Sequence, residues 1–235
     1  MESLLPLRSF LILLLCILLG VAILGWFRWR DSAVPRRPSE TATPAVIKLP
    51  VNFAQRSFDP ANPPADMPPL TGNENAECET NFLSNATANA NTRQTDATHG
   101  TLTVTQVRMT LRLNITIWVP DAASEHVLEH EEGHRQISEY YYQSADKLAE
   151  RIATKYIGRQ LDVTGTDLDA ESKKLLQQLA AEITAEYGKE LNPEPTQLLY
   201  DNITDHSRNG VDAKDAVSHA LKNVLIESPQ PANPN

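Results

Sequence analysis

From Thr101 to Val119 apolar side chains fall largely on every second position, and from Val127 onward they recur every third or fourth. Leu102, Val104, Leu111, Leu113, Ile115, Ile117 and Val119 alternate with Thr, Arg and Asn, as in a strand with one buried face. Val127, His130, His134, Ile137, Tyr141, Ala145, Leu148, Ile152 and Tyr156 then share one side of a helix. Pro120-Asp121 marks the switch, with Asp121 placed to cap the helix. A chain that changes period so abruptly has to lay a helix against a sheet, so the fold class expected is α+β. Thr164-Gly165-Thr166-Asp167 separates this helix from a second over about 167–190, which Asn192-Pro193-Glu194-Pro195 ends. A third is expected over 211–227.

The first of these helices carries His130-Glu131-Glu132-Gly133-His134. Histidines four apart lie one turn from each other on one face, so both imidazoles can reach one Zn²⁺ while the glutamate between them reaches its water. His130 and His134 are therefore candidate metal ligands and Glu131 a candidate general base. Gly133 costs helix stability but removes bulk beside the proposed metal. His126 has the same spacing, yet three histidines on a straight helix span about 12 Å, too far for one ion; its role is read as structural. Ordinary hydrogen-bonded core histidines and a solvated acidic edge are the competing explanation of the same residues.

A catalytic zinc generally takes a third protein ligand. The metzincin extension would need Gly and His where Ile137 and Tyr140 stand, so that class is excluded. Glu182 and Glu186 on the next helix are possible ligands. A further group lies in Tyr200-Asp201-Asn202-Ile203-Thr204-Asp205-His206-Ser207. Together the pentad and Tyr200, Asp201, Thr204 and His206 resemble zincin-type HExxH metallopeptidases, in particular a bacterial domain-of-unknown-function family regarded as zinc-dependent proteases. The resemblance covers about residues 100–225. It implies a zincin-like fold, a small antiparallel or mixed sheet followed by the long HExxH helix and two further helices, with His206 as third ligand. Ser207 departs from the pattern, which has glycine there. Asp201 or Asp205 would orient an imidazole through its other nitrogen, and Tyr200 would donate to an oxyanion.

Residues 10–27 are 18 uncharged, mostly apolar positions followed by Arg28 and Arg30. As a helix they extend about 27 Å, near the thickness of bilayer hydrocarbon. An uncleaved anchor over residues 1–30 is expected; a cleaved signal peptide ending near Gly20-Val21-Ala22 is the rival. The arginines after the segment argue for a cytoplasmic domain, whereas the resembled family is of exported type. The expectation taken is a single-pass inner-membrane protein with its domain on the periplasmic side.

Nine of the sixteen prolines fall in residues 31–70, which reads as a linker, with Ala45-Val46-Ile47-Lys48-Leu49 and Val51-Asn52-Phe53 as stretches able to add a strand. Residues 71–100 show little periodicity and leave a strand or an irregular loop open, and the domain is expected over 71–227 with a disordered tail at 228–235. Beyond residue 30 the chain has 18 basic and 29 acidic residues, a net −11, which speaks against a nucleic-acid partner. Cys78 is the only cysteine outside the apolar run, so neither a disulfide nor a cysteine zinc site is available to the domain. The sequence thus points to a membrane-anchored zinc metallopeptidase acting on peptide or protein substrates. The alternative is a non-catalytic envelope protein whose metal site or helical surface serves partner binding or fold stability.

Overall fold

The computed structural model describes residues 43–70 and 74–227. The apolar run 10–27 and the tail 228–235 lie outside the described residues, and no helix among those described is long and apolar enough to cross a membrane. The fold is α+β. Its elements are β1 (Ala45–Lys48), β2 (Asn52–Phe58), β3 (Glu77–Gln94), β4 (His99–Pro120), α1 (Glu125–Gln143), α2 (Ala145–Tyr156), β5 (Gln160–Thr164), α3 (Leu168–Glu190), α4 (Glu194–Thr204) and α5 (Ala213–Glu227).

Strand β4 is the spine. Along one edge it pairs antiparallel with β3 over nearly its whole length. Along the other it receives β5 antiparallel at His99–Thr103, then β1 and β2 in parallel at Arg108–Leu111 and Asn114–Pro120. The sheet is therefore mixed. The alternation read from sequence is real, and its change of phase between Val104 and Val107 has a cause. Asn89 pairs with Gln106 and Ala90 with Val104, so Thr105 is an extra residue, a β-bulge that returns the apolar positions to the same face. Thr105 Oγ1 donates to Asn89 O at 3.2 Å across this irregularity. Leu102, Val104, Val107, Met109, Leu111, Leu113 and Ile115 are all buried, with α1, α2 and α3 packed over them. Each such side chain contributes about 1.5–3 kcal/mol of transfer free energy.

Several expectations are corrected. Residues 31–70 are not linker throughout, since β1 and β2 complete the sheet and belong to the same compact unit as the helices. Residues 77–94, where the sequence leaves strand and loop open, form the 18-residue strand β3. Its helix-facing positions include Cys78, Thr80, Ser84, Ala86 and Ala88, too small or polar to give a strong alternating signal. The helix at Asp121 starts instead at Glu125, capped by Ser124, whose Oγ accepts from Val127 N–H at 3.4 Å. The single helix expected through Tyr156 breaks at Ser144. There the Lys48 ammonium donates to Gln143 O at 2.8 Å and pairs with Asp146 at 3.0 Å, placing a cation where α1 leaves its last carbonyls free. Strand β5 and helix α4 are additional to the elements expected; Pro193-Glu194-Pro195 ends α3 and also begins α4, with proline in the first turn.

Candidate metal centre

Helices α1 and α4 build the centre between them. On α1, the inward face carries His130, buried to 6 % exposure, and His134 one turn on. On α4, Gln197, Tyr200, Asp201 and Thr204 share a face at helical spacing. Each imidazole is fixed through Nδ1. Thr204 Oγ1 donates to Tyr200 O at 2.9 Å, so at its 3.2 Å contact with His130 Nδ1 it accepts the ring proton. Gln197 Nε2 donates to His134 O at 3.1 Å and to Ser138 Oγ at 3.0 Å, so its Oε1 accepts from His134 Nδ1 at 2.6 Å. Both rings thereby present an Nε2 lone pair to the same point.

At that point the two Nε2 atoms are 3.2 Å apart, and Asp201 Oδ1 lies 2.9 Å from His134 Nε2 and 3.4 Å from His130 Nε2. Asp201 Oδ1 is buried and receives no hydrogen bond of good geometry. Three electron-rich atoms at this separation require a proton or a cation among them. Their ligand atoms all fall within 4.8 Å of one another, as a single ion would need. Two imidazoles and a carboxylate, each imidazole held through its other nitrogen, suit Zn²⁺.

The electrostatics agree. Burial works against the Asp201 carboxylate, yet the two histidines hold it well below the usual range. Burial likewise opposes charge on His134, but Asp201 outweighs it and raises the ring to about 8. His130, more affected by burial than by Asp201, is lowered. Glu131 is 5 % exposed, and burial raises it to about 8. It opens with His130, His134 and Asp201 onto a cleft of about 370 Å³, walled by Ala76, Cys78, Thr80 and Phe82 of the β3 side and by Pro193 and Gln197.

Other candidates have different surroundings. Tyr200, expected as an oxyanion donor, is fully buried; its ring stacks on His130 at 5.0 Å and its hydroxyl donates to His130 O at 3.1 Å, leaving no proton for the cleft. Gly133 serves this packing, because a Cβ there would lie 2.2 Å from the Tyr200 hydroxyl. His206 stands outside the close group, with Nδ1 at 3.7 Å from Asp201 Oδ1 and 3.6 Å from Glu74. It follows the left-handed cap of α4, where Asp205, His206 and Ser207 all have positive φ. The glycine expected at Ser207 is the residue such a backbone favours. His126 donates to or accepts at no ligand; its Nε2 donates to Asn209 O at 2.8 Å, tying α1 to the loop after α4. Glu182 and Glu186 bond Tyr156, Arg159 and Lys155 between α2 and α3, away from the histidines. Asp205 pairs with Arg208. The residues sequence reasoning missed are Gln197, as the partner of His134, and Asp201 as a member of the close group rather than a support behind an imidazole. A scan against protein-family models found no match, and searches of curated proteins and of solved structures found none either.

Proposed function

We propose that this chain is a zinc-dependent hydrolase of peptide bonds, with His130, His134 and Asp201 as ligands and Glu131 as general base. The observation that carries the reading is the convergence of three electron-rich atoms, one an orphaned buried carboxylate oxygen, beside a cleft onto which Glu131 opens. When bound, zinc supplies Lewis acidity, lowering the pKa of a water toward 7 and polarising a carbonyl. Gln197 and Thr204 hold the two imidazoles in the tautomer that leaves Nε2 free. Glu131 accepts a proton at its carboxylate on the cleft side and returns it to the leaving amine. A cation among the histidines opposes the effect of burial and favours Glu131 as carboxylate, the form a base needs. Tyr200 acts beneath the site, fixing the spacing of α1 and α4. Water and peptide enter through the cleft, and this access favours hydrolysis over a closed structural site.

The zincin-like reading rests on the order of a long strand, a histidine helix and a later helix bringing the third ligand. Residues 10–27 would anchor the protein in the inner membrane with the domain on its periplasmic side. Metal content of the full chain, measured with Glu131→Gln and His134→Ala, tests the mechanism. About one zinc per chain should persist in Glu131→Gln with turnover of a peptide substrate abolished, and should be lost in His134→Ala. A Glu131→Gln chain that still cleaves at the wild-type rate would sink it.

A further inference from the structure

The cleft has a charge that the proposed hydrolysis does not use. Among the described residues its lining includes five carboxylates, Glu74, Glu77, Glu131, Glu194 and Asp201, and no Lys or Arg. Asp201 belongs to the metal group and Glu131 to the chemistry. A dication offsets two charges, so the walls remain negative. Two groups facing inward carry its mark. Burial, then Glu74, raises Glu77; burial, then Glu131, pushes the Cys78 thiol up. Glu131 itself is buried, opens into the cleft and has no hydrogen-bond partner among the described residues. A carboxylate so placed lowers its energy when positive charge enters.

The same cleft offers apolar surface from Ala76, Phe82 and Pro193 beside the acids. An apolar wall ending in carboxylates matches a side chain with an aliphatic stem and a cationic head. Glu77 begins β3 and Glu194 begins α4, so the negative charge comes from two independent elements rather than one exposed helix edge. We infer that the cleft takes peptide segments carrying a Lys or Arg side chain, with Glu77 and Glu194 as the specificity-determining residues. This deepens the hydrolase reading, and the binding preference itself follows from the cleft walls. Acidic peptides are excluded by the same carboxylates, which is how like charge gives selectivity.

The test uses three fluorescein-labelled octapeptide pools, identical except for Lys/Arg, Gln or Glu at one central position. They are titrated by fluorescence polarisation into the full chain carrying Glu131→Gln, with zinc and with chelator, while zinc content and cleavage are followed on the unmodified chain. The Lys/Arg pool should bind at least about tenfold tighter than the Glu pool at low salt, with the difference shrinking at high salt. Glu77→Gln or Glu194→Gln should each narrow that ratio by about threefold or more. Equal binding of the three pools, binding of none, or a ratio unmoved by both substitutions overturns the inference. Equal binding by a chain that holds zinc and cleaves peptides removes only the preference. Selective binding by a chain with neither zinc nor cleavage removes only the hydrolase reading.

Discussion

Replacing Gly133 by alanine should harm this protein although alanine is the better helix former. The gain from propensity is about 1 kcal/mol. Against it, the new Cβ would sit 2.2 Å from the Tyr200 hydroxyl oxygen and 2.4 Å from Cζ, with the ring fully buried. Ordinary contact begins near 3.4 Å, so ring and helix must separate by about 1 Å. Overpacking of this kind costs about 1–3 kcal/mol, and loss of the hydroxyl bond to His130 O adds about 1 kcal/mol. The net is a destabilisation of about 1–3 kcal/mol. The movement would also shift Asp201, the next residue, away from the histidines, so zinc affinity should fall at least about tenfold, comparable to loss of a supporting hydrogen bond. Thermal denaturation with and without zinc, together with competition against a chelating dye, measures both effects. In a Tyr200→Ala background the same change should turn neutral or favourable, since the obstacle is gone. A Gly133→Ala chain more stable than the parent, with unchanged zinc affinity, would refute the close approach of α1 and α4 at this point.

Asp201→Asn should reduce zinc affinity by more than the about 10–100-fold typical of supporting residues, whereas His206→Ala should stay within about tenfold; the reverse order in a dye competition would make His206 the third ligand. In the metal-free chain, burial raises Glu131 from its ordinary 4.5 to about 8, and Asp201, outweighing burial, raises His134 from 6.5 to about 8. Both groups keep protons in the folded state that the unfolded chain releases earlier, so stability should fall as pH rises from about 5 through 8, by on the order of a few kcal/mol. A melting temperature in chelator that stays flat over this range would contradict that coupling. Ser207→Gly should stabilise the chain by about 0.5–1 kcal/mol, because residue 207 has φ 63° and no Cβ is then strained. The check is a rise in melting temperature at unchanged zinc affinity.

How much of this was legible from sequence depended on the amplitude of each pattern. The large apolar residues of β4 announced the spine, and the period of Val127 to Ile137 placed both histidines inward. β3 is only an open alternative in sequence because, Phe82 apart, its core positions are filled by Ala, Ser, Thr and Cys, a low contrast against its Asn-rich outer face. α4 is obscured by its own prolines, which mark a stop as readily as a start. With Pro193-Glu194-Pro195 as a start, Gln197, Tyr200, Asp201 and Thr204 fall on one helical face, and Asp201 points where the histidines point. The job of Tyr200 was not accessible this way. Its hydroxyl is committed to His130 O, a backbone atom, and nothing in residue type distinguishes that from a donor facing a cleft.

The seating of β1 and β2 along β4 bears on self-association. From Arg108 to Pro120 these two strands shield one edge of the spine. A fragment begun at residue 71 would keep both histidines, Glu131 and Asp201, yet bare that edge as a row of unpaired backbone donors and acceptors flanked by Ile115, Ile117 and Val119. Such an edge templates pairing with a second chain. The proline-bearing stretch ahead of the helices therefore works as a protective selvedge: cut it away, and the candidate metal ligands would remain in a protein prone to stick to itself.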